Sequence, residues 1–362
     1  MTHSKIALSA LTALALTLSG CGGGSSDTST SGTTTGGATT GGTTTATKET
    51  ITGNIISNKT LTKDKVWVLD GQVEVHSGAT LTIEAGTTII GKEGTDAWLF
   101  VKSGAKLIAN GTASAPILFT SEQAYAGESE SDGQWGGVTI IGNSANSQTG
   151  TYEVDDTTTA GSGDASSGSL KYVTINNTGI AVAPDKEING LSLFGVSSAT
   201  TIENITVNRS GDDGIEIWGG SVNLKTIKID GAKDDSFDTD SGWSGTIDGL
   251  TITNGTKAGI EMSGTSVGTY KNVTMTIDSA DSEGGLYFKA GSGEIVGGHF
   301  ENVAITYNST AKGAITVHGD FDNTNTTMTN VTLAGSNPII KAKTSPDDDA
   351  ATAEAQAIFD AQ

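Results

Sequence analysis

The chain carries one cysteine, one arginine and four prolines in 362 residues. A lone thiol cannot close an internal disulfide, and cysteine-rich zinc sites are excluded with it. The 20 basic residues stand against 41 acidic ones, for a formal net charge of −21. Such a surface repels phosphate backbones, so no nucleic-acid partner is expected. The few histidines (His3, His76, His299, His318) are scattered and show no ligand or triad spacing. Glycine, by contrast, is in excess at 50 residues, about twice the usual share, yet without the three-residue period of collagen. The chain is turn-rich, and its stability must rest on packing and backbone hydrogen bonds, with bound ions as an optional further source.

The first twenty residues have a short basic start (His3, Lys5) and an apolar stretch from Ile6 to Leu18. That is the layout of a secretory signal, too short and too soon interrupted for a membrane span. It ends Leu18-Ser19-Gly20-Cys21, which resembles the lipobox of bacterial lipoproteins and implies lipidation of Cys21. Gly22 is not an aspartate, and by that family's sorting rule the destination is the outer membrane, with the domain lipid-anchored at the cell surface. Residues 22–48 are almost entirely Gly, Ser and Thr, a composition that cannot bury a core. They read as a disordered tether spanning about 30 Å as a flexible coil.

From residue 49 onward no amphipathic helical period survives more than a turn. Runs of four to six residues rich in Val, Ile, Leu and Thr alternate with Gly/Asn/Asp/Ser clusters, the signature of short strands and turns. Two columns of apolar residues repeat. The first is Ile205, Ile227, Leu250, Val273, Val303 and Val331, with separations of 22, 23, 23, 30 and 28 residues. Asparagine precedes four of its members, at Asn204, Asn272, Asn302 and Asn330. The second column is Ile215, Phe237, Ile260, Leu286 and Ile315, usually with a small residue just before (Gly214, Ser236, Gly259, Gly285). A helix-free repeat of this length, with two or more strands, matches one coil of a parallel β-helix, each strand pairing with its equivalent about 4.8 Å away. Leucine-rich repeats share the period, but their L-x-x-L-x-L signature is missing.

Residues 78–90 and 104–121 read as opening coils of the same stack. With Gln134-Trp-Gly-Gly-Val-Thr-Ile-Ile-Gly142 and Gly211-Asp-Asp-Gly-Ile-Glu-Ile-Trp-Gly-Gly220, the chain resembles bacterial secreted or lipidated proteins with right-handed parallel β-helix repeats, the pectin-lyase-like fold. The resemblance covers about residues 50–340 and implies fold and location rather than activity. The organisation expected is therefore an all-β protein: signal peptide 1–20, lipidated tether 21–48, right-handed parallel β-helix 49–342, and a tail 343–362. Residues 149–168 read as an inserted surface loop, and the Ala-rich tail as a short helix capping the open end of the stack.

If Ile215 and its equivalents point inward, the next residue in each coil points outward. That outward column reads Glu216, Asp238, Glu261, Tyr287, Thr316. Seven carboxylates gather on two consecutive coils: Asp212, Asp213 and Glu216, then Asp234, Asp235, Asp238 and Asp240. At such spacing either some pKa values rise or a cation shares the charge. Calcium suits an all-oxygen donor set; otherwise the region is a solvated acidic face with Arg209, Lys233 or Lys257 as partners. The offset from Asp213 to Asp235 resembles part of the acidic signature of polygalacturonase-type glycoside hydrolases, but that family's Gly-His-Gly and Arg-Ile-Lys are absent. A calcium-dependent polysaccharide lyase is the other enzymatic alternative. Lys257 would be its base, although a lysine among acids is held protonated. Trp135 and Trp218, each followed by Gly-Gly, either stack on sugar rings or cover coil corners. The composite expectation is a cell-surface β-helix lipoprotein with a structural, adhesive or carbohydrate-binding role, stiffened by calcium, whose partner is an extracellular polysaccharide or a surface protein. Binding without turnover ranks first, and a calcium-dependent polysaccharide lyase or glycoside hydrolase acting on acidic polysaccharide stays as the alternative.

Overall fold

In a computed structural model, the described residues are 46–362 apart from 146–150, 153–154, 160, 184–185, 292, 320 and 345–347. The expected signal peptide, the expected lipidation site Cys21 and the expected tether up to residue 45 lie outside them. Among the described residues no helix is long and apolar enough to cross a membrane.

Twenty-three strands join one continuous sheet whose pairings are parallel and link each strand to its equivalent one coil on. The result is a parallel β-helix of about ten coils. Both apolar columns stack in register. Ile205 pairs with Ile227, Ile227 with Leu250, Leu250 with Val273, Val273 with Val303 and Val303 with Val331. The second runs Ile215, Phe237, Ile260, Leu286, Ile315. All these side chains are buried and fill the tube between the sheet faces, together with stacked aromatics such as Tyr270 and Phe300, 4.9 Å apart.

The asparagines are explained by a corner. Asn204, Asn272, Asn302 and Asn330 all have φ between 53° and 57°, and Thr226 (56°) and Gly249 (86°) take the same place in the two intervening coils. Asparagine tolerates this left-handed conformation better than other residues carrying a Cβ. Its side chain also bonds along the stack: Asn330 Nδ2 donates to Asn302 Oδ1 at 2.8 Å, Asn302 Nδ2 to Asn272 Oδ1 at 3.2 Å, and Asn272 Nδ2 to Asp248 Oδ1 at 2.6 Å. The small residues before the second column have a steric cause. A Cβ on Gly214 would stand 2.4 Å from Ile229 Cγ2 and 2.6 Å from the Ser236 carbonyl oxygen.

The insertion at 149–168 contains a separate antiparallel pair, Thr151–Tyr152 with Asp155–Thr159, and its last residue already opens the core strand Gly168–Thr178. A second excursion, the antiparallel pair Ile180–Ala183 and Lys186–Ile188, was not legible beforehand. The helix Asp349–Asp360 packs Ala351, Ala355, Ile358 and Phe359 against the core at the C-terminal end of the tube. Buried Asp348 ties it there, accepting the Gly319 N–H at 2.9 Å and the Thr344 N–H at 2.8 Å.

Candidate functional site

Five short strands build the site: Ile215–Trp218, Phe237–Asp240, Ala258–Met262, Gly284–Lys289 and Ile315–His318. Their register places Glu216, Asp238, Glu261, Tyr287 and Thr316 in one row on the outer face of the sheet. The row is not the solvated surface that alternation alone suggests. Glu216, Asp238 and Glu261 are 6%, 9% and 3% exposed, because neighbouring coils and the turns before each strand close over them.

Asp213 and Asp235 occupy equivalent places in those turns, two residues before the inward residue of each coil. Each carboxylate caps the next coil: Asp213 Oδ1 accepts the Asp235 N–H at 2.8 Å, and Asp235 Oδ1 accepts the Ala258 N–H at 2.6 Å. One coil earlier Asn189 plays the same part, its Oδ1 accepting the Asp213 N–H at 3.0 Å. This ladder continues from coil to coil and gives the Asp-Asp repetition a structural cause.

The carboxylates converge. One oxygen each from Asp213, Glu216 and Asp238 lies within 4.8 Å of the others, and the same holds for Asp235, Asp238 and Glu261. A third set, Asp212, Asp213 and Asp234, meets the same distance, but Asp234 is exposed to solvent. Four of the five buried acids are held by a donor on one oxygen: Asp213 and Asp235 by backbone N–H groups, Glu216 by Asn189 Nδ2 at 2.6 Å, and Glu261 by Lys289 Nζ at 2.7 Å. Asp238 Oδ1 is buried and has no hydrogen-bond partner, whereas Glu261 Oε2, which meets no N–H or O–H donor, belongs to a carboxyl that lies in hydrogen-bonding contact with that of Asp235.

Burial is the largest influence on Asp213, Asp235, Asp238, Asp240 and Glu261. It raises Asp213, Asp235 and Asp238 well above the ordinary carboxylate range, and mutual repulsion raises them further. Glu261 is pushed up to about 7 by burial and by the charge of Asp238, with Lys289 acting against the rise. Asp240, half-buried, is raised by burial while bonds from Ser241 and Trp218 oppose the shift. Burial alone would lower Lys289, but Glu261 beside it reverses the balance and holds the ammonium charged.

The sequence-predicted residues separate into three groups. Asp213, Glu216, Asp235 and Asp238 come together in the buried cluster, while Asp212, Asp234 and Asp240 lie on its more accessible margin. Lys257 does not stand over the cluster. Its charge acts on Glu283, and its backbone N–H donates to the Asp234 carbonyl at 3.2 Å; the lysine at the cluster is Lys289. Arg209 and Lys233 pair with Glu130 and Asp132 instead. Trp135 is the clear correction. It is 1% exposed inside the tube, stacked 6.3 Å from Phe119, and its indole N–H donates to the Asn176 carbonyl at 2.7 Å, so no sugar ring can reach it. Trp218 is half-buried, 5.7 Å from Phe194, and packs on an outer apolar cluster of Trp98, Phe100, Ile141, Ile188 and Phe194.

Sequence reasoning left Glu261 out of the cation set and gave no role to Asn189, Lys289 or His318. Glu261 was visible in the outward row; what hid its role was the expectation of a solvated face. A depression of about 340 Å³ opens beside the cluster, lined by Asp238, Asp240, Glu261, Ser263, Lys289, Glu294 and His318. A larger one, about 460 Å³, lies on another side of the stack around Thr201, Glu203, Lys225 and Asp248 and has no convergent buried acids.

The sequence model of one family, described as a pectate-lyase-like β-helix domain, matches residues 53–361. No curated protein sequence matches the chain. Among solved structures, a tailspike protein 2 from an Escherichia coli O157:H7 bacteriophage is similar at 11% identity and a TM-score of 0.32, over 75% of this chain and 35% of the tailspike. This chain thus spans about a third of that protein's length. An alginate lyase from a Paenibacillus strain is similar at 13% identity and a TM-score of 0.25, over 70% of this chain and 92% of the lyase.

Proposed function

Because the chain belongs to the pectate-lyase-like β-helix family, we propose that its acidic face is a cation-dependent carbohydrate-binding site. A divalent ion of the calcium type completes the buried carboxylates, and the adjoining depression receives the saccharide. The observation that carries this reading is the buried, unpartnered oxygen Asp238 Oδ1, within a cluster of five acids that has Lys289 as its ion-paired base. Buried carboxylate oxygens are costly unless something positive meets them. The donor set fits calcium, being all oxygen, and two ligands about 2.4 Å from a common ion stand up to about 4.8 Å apart.

The enzymatic readings have less support. The glycosidase reading lacks the Gly-His-Gly and Arg-Ile-Lys that accompany the acids in polygalacturonase-type enzymes. A lyase needs a base, and Lys289 is held protonated by Glu261. The site is presented outside the cell, anchored to the outer membrane through lipid on Cys21 and held away from it by the Gly/Ser/Thr tether.

The test is thermal unfolding of the purified protein in calcium and in chelator, together with binding to an array of extracellular polysaccharides and an assay for their breakdown. The reading expects calcium to raise the midpoint and polysaccharide binding to require calcium, without turnover. Calcium-independent binding or an unmoved midpoint would refute it, and turnover would replace it with an enzyme.

A further inference from the structure

The buried acids divide into two sets of three that share one member. One oxygen each from Asp213, Glu216 and Asp238 lies within 4.8 Å of the others, and so does one each from Asp235, Asp238 and Glu261. They arise from the solenoid itself, since Glu216, Asp238 and Glu261 are successive members of one row and Asp213 and Asp235 successive members of the next. Stacking therefore repeats the donor arrangement at the coil spacing, with Asp238 in the middle.

From this geometry we infer that the site holds two divalent cations, bridged by Asp238. This deepens the cation reading above and rests on it. Three further observations carry it. The unpartnered atom, Oδ1, belongs to the bridging residue itself, whose side chain is nine-tenths buried. In addition, each of the four outer acids has one oxygen fixed by a donor outside the two sets or by a backbone N–H. That is the arrangement in which a second shell orients a carboxylate toward an ion. Charge closes as well. Once metal binding has displaced their protons, five carboxylates and the Lys289 ammonium sum to −4, which two divalent ions neutralise and one leaves at −2. The more exposed set around Asp234 needs no ion, because water solvates it.

The experiment is metal stoichiometry of the full chain after equilibrium dialysis against calcium chloride at neutral pH, read by elemental analysis and native mass spectrometry. Two calcium ions per chain are expected. Glu216→Gln and Glu261→Gln should each retain one, from opposite sets, and Asp238→Asn should weaken both by at least tenfold. If Asp238→Asn fails to fold, as judged by its β-sheet circular dichroism, the two glutamate variants still decide the matter. A single ion in the parent chain, lost in one glutamate variant and untouched in the other, would overturn the two-ion site and leave the cation reading intact. No bound calcium in the parent chain would overturn both.

Discussion

At the scale of the residue, Asp238 concentrates the physics of the site. It is buried, belongs to both carboxylate sets and has an oxygen without a partner. Asparagine has nearly the same shape but no charge. In chelator, Asp238→Asn should therefore stabilise the protein, by about 1–3 kcal/mol, the range associated with an unsatisfied buried group. At a hundredfold excess of calcium over the parent's Kd, each ion adds about 2.7 kcal/mol to the parent and, with binding tenfold weaker, about 1.4 kcal/mol to the variant, so the variant's advantage should shrink or reverse. Denaturant unfolding under the two conditions measures both. Trp135 teaches a different lesson. Trp-Gly-Gly looked alike at residues 135 and 218, yet one indole fills the tube and the other packs on an outer apolar cluster. The motif encodes close approach of backbone, since a Cβ on Gly136 would stand 2.9 Å from Trp98 Cβ and one on Gly220 would stand 2.4 Å from the Val196 carbonyl oxygen.

At the scale of the element, the coil was legible because its period is written twice, once in each apolar column, and in-register pairing leaves no freedom to slip. The corner was legible as an asparagine habit, although its left-handed φ was not. Asn302→Ala places a Cβ-bearing residue with no compensating amide at φ 57° and removes bonds to Asn272 and Asn330. It should cost about 1–3 kcal/mol, and Asn302→Gly should cost less because glycine accepts that φ; unfolding midpoints of the two variants check the order. The hairpin Ile180–Ala183 and Lys186–Ile188 escaped the sequence reading because its apolar residues cover the outside of the sheet. Their pattern belongs to a local cluster and not to the coil period. Burial of the acidic row escaped it for a related reason: alternation along a strand tells which way a side chain points, but says nothing of what the adjoining turns lay over it.

At the scale of the whole molecule, the excess of acid is partly buried, and this ties stability to pH. A carboxylate whose folded pKa is raised contributes stability below its unfolded value, and that contribution is lost as pH climbs through the folded one. For Glu261 the window runs from about 4.5 to about 7, and Asp213, Asp235 and Asp238 shift in the same direction. A bound cation opposes the loss, since it favours the ionised form. The measurement that bears most directly on the account is the unfolding midpoint from pH 5 to pH 8, with and without calcium. The account predicts a midpoint that falls across this range in chelator and holds or rises in calcium, so that the curves diverge with increasing pH. Two parallel curves would contradict it, because they would mean that the buried carboxylates never meet the ion.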